Sequence, residues 1–275
     1  MKIITLMEDK AASGEFVAER GLCQYIETGK HKILFDMGPS DSFVKNAETL
    51  GVDLGAVDIA VLSHGHSDHG GGMETFCAVN HMADVFVNPE AFGDYYAVLP
   101  GQEPHYIGLS DQLWRIENRM VPTVPGLQLG EELTFLGEIP NTFAWTPIVP
   151  KLQQKTGNGF VRDEFHHEQH LLVSSQGKNV LFAGCAHGGI VNIVRAAEEV
   201  LGKRPDAVFA GFHLFELDPE DPKSMENLTA VAAELSKGDT VYYAGHCTGD
   251  WAFDVLQSMM GDRMRPMRAG TVVEL

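Results

Sequence analysis

Four potential metal ligands lie within six consecutive residues of this 275-residue chain. They are His64, His66, Asp68 and His69, and small or turn-forming residues surround them. Taking such polar groups out of water without partners costs about a few kcal/mol each. A divalent cation offsets that cost, because neutral imidazole nitrogens and carboxylate oxygens are good ligands for zinc-like ions. The composition of this segment therefore predicts a metal site.

The spacing of these residues suggests that the segment serves two adjacent metals. The apolar run at 59–62 predicts a buried strand, so the ligands follow a strand's carboxyl end, where sites tend to form in open α/β sheets. His64 and His66 point the same way if the backbone is extended there. Asp68 and His69 lie beyond a turn and can face a second position.

Three later histidines each follow an apolar strand that ends in a small residue. They are His187, His213 and His246, in the stretches 182–187, 209–213 and 243–247. A single histidine in such a place is often a cap or a packed ring. Three such strand ends together with the first segment indicate that one sheet edge converges on one centre, and the glycines before them permit close backbone approach.

The pattern His-x-His-x-Asp-His, between a strand and a Gly-rich turn, resembles the signature of the metallo-β-lactamase superfamily. The resemblance implies that His64 and His66 hold one metal, while Asp68 and His69 hold the other. It implies two divalent ions as cofactors, zinc in the first place, with manganese or iron as alternatives.

The same resemblance assigns two further residues. Asp36, at the end of the early strand Leu34-Phe35-Asp36, matches the aspartate that orients a metal-binding histidine. A ligating imidazole usually gives its other N–H to such a carboxylate. His246 matches the late histidine that completes the second metal.

One position departs from the superfamily pattern. The Gly-Asp whose carboxylate bridges both metals falls here at Gly184-Cys185. Together with the stretches at 36–38, 211–214 and 245–249, the run 184–190 resembles the group related to dihydropterin-ribofuranosylaminobenzene phosphate synthases. In that reading His187 is the third histidine for the metal of His64 and His66. Cys185 is then either a thiolate ligand or a packed thiol.

Other histidines and aromatic residues have weaker assignments. His166, His167 and His170 are rivals for the missing ligand, because they occupy the superfamily's third-motif region. His213 is assigned to the substrate, with Asp68 as the other catalytic residue. The remaining histidines outside the strand ends are expected at the surface: His31, His81 and His105. Three aromatic residues can stack on a flat ring or belong to the core: Trp145, Phe212 and Trp251.

Hydrophobic patterns predict an α/β fold of two mixed β-sheets with outer helices. This arrangement is the four-layer αββα sandwich that the resemblance implies. Expected strands are 2–7, 22–28, 32–36, 59–62, 84–87, further strands between 127 and 136, then 170–175, 179–183, 206–212, 240–244 and 271–273. One expected helix is capped by Ser40 or Ser42 and has Phe43, Val44, Ala47 and Leu50 on its apolar face. Further helices are expected at 73–79, 91–99, 190–201, 225–235 and 251–260. We expect a single domain over 1–275, with an active-site flap around 140–170.

Composition limits the partners of the chain. Acidic residues number 38 against 20 basic ones, a formal net charge of −18, so we expect no nucleic-acid partner and no anionic membrane. The chain contains no apolar stretch of about 18 residues, so we expect no membrane-spanning helix. The four scattered cysteines suggest reduced thiols in a cytoplasmic protein. The partner we expect is a small-molecule substrate.

These observations lead to three hypotheses for function. The first is a metal-dependent hydrolase that uses a di-metal-activated water on a small ester, lactone or phosphoester, with a pterin- or phosphoribosyl-related substrate as the family-based refinement. The second is an iron-dependent redox enzyme acting on oxygen or sulfur species. The third is a synthase or transferase of the dihydropterin-ribofuranosylaminobenzene phosphate type.

Overall fold

The computed structural model describes residues 1–147 and 149–275. The chain divides into two compact units. The first unit comprises Met1–Val124, Ile148–Gln169 and Arg268–Leu275, and the second comprises Pro125–Pro147 and His170–Met267. A single domain over 1–275 stays a prediction.

The strands and helices follow in chain order. The strands are β1 (Lys2–Met7), β2 (Cys23–Glu27), β3 (Lys32–Phe35), β4 (Ile59–Val61), β5 (Asp84–Val87), β6 (Tyr95–Ala97), β7 (His105–Tyr106), β8 (Met120–Pro122), β9 (Gln128–Leu129), β10 (Leu133–Gly137), β11 (Leu152–Thr156), β12 (Gly159–Arg162), β13 (Gln169–Ser175), β14 (Lys178–Phe182), β15 (Ala207–Gly211), β16 (Val241–Gly245), β17 (Met264–Pro266) and β18 (Val272–Glu274). The helices are α1 (Ser42–Thr49), α2 (Ser67–Gly70), α3 (Met73–Val79), α4 (Ile190–Leu201), α5 (Pro222–Leu235) and α6 (Asp250–Met260). Short 3-10 helices cover Leu54–Ala56, Pro89–Phe92, Asp111–Arg119, His246–Thr248 and Gly261–Arg263.

The first unit is built on a mixed sheet in the order β18-β1-β2-β3-β4-β5-β8. The strands β18, β1, β2 and β3 pair antiparallel, and β3, β4, β5 and β8 pair parallel. Apolar residues of α1 and α3, among them Phe43 and Phe76, join residues of this sheet in one buried core. The parallel pairs bring the carboxyl ends of β3 and β4 to one edge, which places Asp36 beside the segment that follows β4.

A smaller sheet of the first unit, β12-β11-β6-β7, corrects the prediction of a helix at 91–99. That helix prediction is wrong. Asn88 caps a short 3-10 turn that ends at Phe92, and β6 then pairs with β11. The consecutive rings of Tyr95 and Tyr96 differ in burial, 95 being buried and 96 half-buried, as the two-residue period of a strand requires. Cross-strand pairing outweighed the helical spacing of the apolar residues.

The second unit is built on a mixed sheet in the order β17-β16-β15-β14-β13-β10-β9. β13 and β14 form the predicted hairpin, whose turn uses positive φ at Gln176 and Gly177, 54° and 77°. The neighbours β14, β15, β16 and β17 are parallel, so their carboxyl ends share one edge. The helices α4, α5 and α6 contribute to the buried core of this unit, as does the fully buried Phe212.

The predicted fold class, mixed sheets with helices packed against them, is confirmed.

In α1, the residue before the helix is Asp41, without a side-chain cap, while the Ser40 hydroxyl accepts a hydrogen bond from the Ser42 amide at 3.1 Å. Over residues 1–147 and 149–275, none of the helices has the length and apolar character needed to cross a membrane.

Candidate metal centre

The histidine loop, residues 62–72, follows β4 and changes conformation between its two pairs of ligands. Backbone at His66 is extended, with φ −97° and ψ 146°, and α2 begins at the next residue. This change is the turn that the spacing argument requires. His64, His66 and His69 are buried, and Asp68 is half-buried.

The first pair of candidate ligands, His64 and His66, is spaced to bind a single ion. The His64 Nε2 and His66 Nδ1 atoms lie 3.1 Å apart. Two nitrogens bound to one tetrahedral zinc at about 2.05 Å would be roughly 3.3 Å apart. On the far side of the His64 ring, Nδ1 lies 2.9 Å from the Ser63 hydroxyl oxygen, which leaves Nε2 as the atom that faces His66. The pair therefore fits one cation.

The second pair is oriented by a fully buried carboxylate. Asp36 Oδ2 lies 2.7 Å from His69 Nδ1 and accepts a hydrogen bond from the Ser63 hydroxyl at 2.8 Å. Its Oδ1 accepts from the Ser63 amide at 2.7 Å. Because Asp36 holds the Nδ1–H of His69, the Nε2 lone pair of that ring points elsewhere, 3.9 Å from Asp68 Oδ1. The role assigned to Asp36 agrees with this geometry.

The histidine loop also keeps the His66 imidazole in the form that binds metal. Burial above all, and then the charge that His167 would carry, lower the pKa of His66 to about 3. The ring is therefore neutral at physiological pH and offers a nitrogen lone pair. Ligand atoms of His64, Asp68 and His69 lie within 4.8 Å of one another. This donor set of imidazoles and a carboxylate fits zinc, manganese or iron, the ions named from sequence.

In the second unit, three adjacent parallel strands deliver the other candidate residues. Left-handed backbone at non-glycine residues turns the chain past each strand: Ala186 after β14, His213 after β15 and His246 after β16, with φ of 52°, 50° and 50°. Such residues cost about 1–3 kcal/mol each and concentrate at functional sites. The rings of His187 and His213 lie 4.3 Å apart between centroids. Within this unit, the carboxyl ends of β14, β15 and β16 therefore lie side by side.

Two thiols accompany these imidazoles. Ligand atoms of Cys185, His213 and Cys247 lie within 4.8 Å of one another, and all three residues are buried. Gly211 permits this approach, because a Cβ there would lie 2.5 Å from the Cys247 sulfur. Burial raises the pKa of the Cys247 thiol, but contact with Cys185 and the charges of His246 and His213 outweigh it and lower the pKa well below its usual value. The second unit therefore offers sulfur as well as nitrogen donors.

The rival histidines are placed differently. His166 is exposed, and both ring nitrogens of His167 have hydrogen-bond partners, Gly65 and Asp163. His170 is buried on β13, and burial lowers its pKa to about 3. Among the clusters of possible ligands in the described ranges, none includes His166 or His170.

The residues expected at the surface or beside a substrate are also located. His81 and His105 are exposed, and His31 is half-buried with its Nδ1 3.1 Å from Asp58. Phe212 belongs to the core of the second unit. Trp145 and Trp251 are partly buried and pack against that core.

Sequence reasoning missed several residues around the histidine loop and the strand ends. Ser63 links Asp36 to the loop, and Asp163 pairs with His167. Cys247 lies beside Cys185 and His213. The signals were present: a hydroxyl directly before the first histidine, an acid four residues before a histidine, and a second cysteine directly after a strand-end histidine.

The mixed α/β fold and its clustered imidazole, carboxylate and thiol groups are typical of a metal-binding protein. Comparison with known proteins gives the family. Residues 18–246 match the metallo-beta-lactamase superfamily. The chain therefore belongs to that superfamily.

Individual relatives extend this likeness over the whole chain. The chain is 26% identical to the 7,8-dihydropterin-6-methyl-4-(beta-D-ribofuranosyl)-aminobenzene-5'-phosphate synthase of Methanocaldococcus jannaschii, over 100% of this chain and 96% of the relative. A solved structure of Tm1679, a metal-dependent hydrolase of the beta-lactamase superfamily, matches with TM-score 0.81 and 26% identity, over 100% and 99% of the two chains. The fold is shared with Zn(2+)-bound PqqB from Methylobacterium extorquens, at TM-score 0.60, 10% identity and full coverage of both chains.

Proposed function

We propose that this protein is a hydrolase that holds two divalent metal ions and cleaves a small ester, lactone or phosphoester with water. The geometry of the histidine loop carries the proposal. Two imidazole nitrogens 3.1 Å apart share one focus, and a buried carboxylate fixes the tautomer of the histidine in the second pair. Such ions supply a water nucleophile that ionises near neutral pH, and they polarise the bond under attack.

The proposed ligand set follows the superfamily pattern. His64, His66 and His187 bind one ion in this proposal. Asp68, His69 and His246 bind the other ion, and Cys185 replaces the usual bridging aspartate as a sulfur donor. Membership of the superfamily supports this assignment, as does the position of these residues in the segments that follow β4, β14 and β16.

Two side chains have proposed roles beside the metal ligands. Asp68 is half-buried, so its carboxylate can reach both a metal position and solvent; it steers the attacking water and takes up its proton. His213 contacts the substrate and holds the group that leaves. The water oxygen forms a bond to the carbonyl carbon or the phosphorus as the ester bond breaks, and the leaving oxygen takes the proton that Asp68 accepted from the water.

A phosphoester of a pterin- or phosphoribosyl-related molecule is the substrate class we propose to test first. The similarity to a relative named as a dihydropterin-ribofuranosylaminobenzene phosphate synthase supports it, and the similarity to Tm1679, a metal-dependent hydrolase, supports hydrolysis. The synthase relative also favours a second candidate, a transferase that joins two organic substrates.

Metal analysis and a substrate panel test these proposals together. We expect protein purified without added metal to contain zinc, and to hydrolyse small phosphoesters or lactones in a metal-dependent way. The His66→Ala variant should lose metal and activity while its fold survives, and His81→Ala, at an exposed histidine, is the matched control. Full metal content and turnover in His66→Ala would overturn the assignment.

The alternatives have their own signatures. Stoichiometric iron with a visible absorption band would favour the redox hypothesis over hydrolysis. Turnover that requires two organic substrates, with none in water alone, would favour the synthase. Both outcomes leave the metal ligands in place and change only the reaction assigned to them.

A further inference from the structure

His167 and Asp163 lie directly against the histidine loop, and their hydrogen bonds define a role other than ligation. We propose that this pair is a positioning device, which holds the backbone between His64 and His66 so that both rings face one ion. The inference rests on the proposed metal-dependent function and assigns a role to residues outside the His-x-His-x-Asp-His pattern.

The tautomer of His167 follows from its two neighbours. Its Nδ1 accepts a hydrogen bond from the Gly65 amide at 2.9 Å, so this nitrogen carries no proton. Its Nε2 lies 3.1 Å from Asp163 Oδ2, so this nitrogen carries the proton and donates it. With one lone pair occupied and the other nitrogen protonated, the ring has no donor atom left for a metal.

This geometry answers a competing interpretation. Ligand atoms of His66, Asp163 and His167 lie within 4.8 Å of one another, which by distance alone fits a cation. An ion there would have to displace the proton that His167 shares with Asp163. The 4.0 Å from Asp163 Oδ2 to His66 Nε2 places the carboxylate beside the His66 ring on the side away from His64.

Neighbouring contacts keep the His167 ring and the loop from moving apart. The ring packs against the Tyr95 ring in a tilted arrangement, with 4.1 Å between centroids and 32° between planes. The space where a side chain of residue 65 would lie is filled by backbone, because a Cβ on Gly65 would lie 2.1 Å from the Ala91 carbonyl oxygen. Gly65 is therefore clamped between Ala91 and His167.

The pair belongs to a longer segment, residues 163–169, that lies against the histidine loop and is called the strap below. The Gln169 amide donates to the Ser63 carbonyl at 2.7 Å, and its side-chain amide donates to the Leu62 carbonyl at 2.7 Å. Asp163 Oδ1 caps the strap's own turn by accepting from the Phe165 amide at 2.7 Å. Together with the His167–Gly65 bond, the two bonds from Gln169 hold the loop backbone at three places, residues 62, 63 and 65.

Two substitutions of His167 separate positioning from ligation. In His167→Asn, the side-chain oxygen lies where Nδ1 was and can accept from Gly65. In His167→Gln, the side-chain amide reaches the Nε2 position, so the bond to Asp163 is kept and the bond to Gly65 is lost. Both variants remove an imidazole, so a ligand role predicts the same loss for both.

The experiment titrates metal-free full-length wild type and both variants with Co²⁺ and records the visible spectrum and the unfolding temperature. We expect His167→Gln to bind cobalt about 10–100-fold more weakly, the usual cost of losing a residue that orients ligands. His167→Asn should stay close to wild type. At saturation, all three proteins should show the same stoichiometry and the same spectrum, since the ligands are unchanged.

Several outcomes would overturn the positioning role. A changed spectrum or stoichiometry at saturation in both variants would make His167 a ligand. Equal affinities in His167→Gln and His167→Asn, at any stability, would show that the bond to Gly65 has no role. If wild type binds no cobalt, the proposed function fails, and hydrogen exchange of the Gly65 amide then tests the positioning role by itself. Exchange that is fast only in His167→Gln supports the contact between His167 and Gly65. Equal exchange rates in all three proteins refute it.

Discussion

The histidine loop of the first unit and the strand ends of the second unit place their side chains by different means. In the loop, a network of hydrogen bonds from Asp36, Ser63 and the strap fixes the rings and their tautomers. In the second unit, three neighbouring parallel strands end in register, and a left-handed residue turns the chain after each. The donors also differ, nitrogen and oxygen in the loop against nitrogen and sulfur at the strand ends.

The difference teaches which changes each region tolerates. A site held by hydrogen bonds loses orientation when one partner is removed, even if every ligand remains. A site placed by strand register depends on the sheet, which many buried contacts stabilise, so single side chains there can be exchanged with smaller effects on their neighbours. We therefore expect the histidine loop to be the more sensitive region.

The largest effect should come from Gly65→Ala. The added methyl would meet the Ala91 backbone at 2.1 Å to its oxygen and 2.8 Å to its carbonyl carbon, so the loop must move. We expect zinc affinity to fall by more than about 100-fold, because both His64 and His66 change direction. Competition with a chromophoric chelator measures the affinity.

Gly14→Ala is the matched control, since no atom lies within 4 Å of a Cβ at that position. It should bind zinc as wild type does. If the two variants bound zinc equally, the close approach at Gly65 would have no bearing on the site, and the contrast between the two regions would weaken.

Next in size is Asp36→Asn. Asp36 accepts hydrogen bonds from the Ser63 amide and hydroxyl and lies 2.7 Å from His69 Nδ1, all out of contact with solvent. An amide can satisfy only part of this set, so we expect about 10–100-fold weaker metal binding and a loss of about 2–4 kcal/mol in unfolding free energy. Calorimetric zinc titration and urea unfolding measure the two quantities.

The control for that charge removal is Asp58→Asn. Asp58 is exposed and lies 3.1 Å from His31 Nδ1, and a surface pair of this kind is worth less than about 1 kcal/mol. A fall in metal affinity for Asp58→Asn as large as that for Asp36→Asn would mean that overall charge, rather than orientation of His69, governs binding.

The sequence identified candidate ligands but not the groups that position them. His64, His66, Asp68 and His69 are adjacent in the chain, and their spacing alone indicates a focus. Asp163 and Gly65 are 98 positions apart in the numbering, and only the folded strap brings His167 between them. Contacts of that kind follow from tertiary packing, which local patterns do not contain.

Secondary structure shows the same boundary between local and long-range information. The hairpin around Gly177 was predictable, because turn residues and alternation occur together in one short stretch. The segment 91–99 was not, since its apolar spacing suits a helix while its partner β11 begins more than fifty residues later. Where a strand's partner is remote, tertiary pairing overrides the local pattern.

A smaller effect should distinguish the sulfur donors of the second unit. In Cys185→Ser, cobalt-loaded protein should lose the near-ultraviolet sulfur-to-cobalt charge-transfer band and keep its visible bands, because a hard oxygen replaces one thiolate while the imidazoles remain. Burial raises the pKa of Cys77, so Cys77→Ser should leave the spectrum as it is in wild type. A persistent charge-transfer band in Cys185→Ser would transfer the donor role to Cys247.

The smallest effect concerns His170, a buried histidine of the second unit outside the ligand clusters. Burial lowers its folded-state pKa from 6.5 to about 3, so between these values the unfolded chain binds a proton that the folded chain excludes. Stability contributed by this group is complete above about pH 7.5 and is lost as pH falls below 6.5, by up to about 1.4 kcal/mol per pH unit. Urea unfolding of metal-free protein at pH 7.5, 6.0 and 5.0 should therefore show a steeper loss for wild type than for His170→Gln. His81→Gln, at an exposed position, should show the same pH dependence of unfolding free energy as wild type. If saturating zinc abolished the steeper loss of stability in wild type, His170 would belong among the metal ligands.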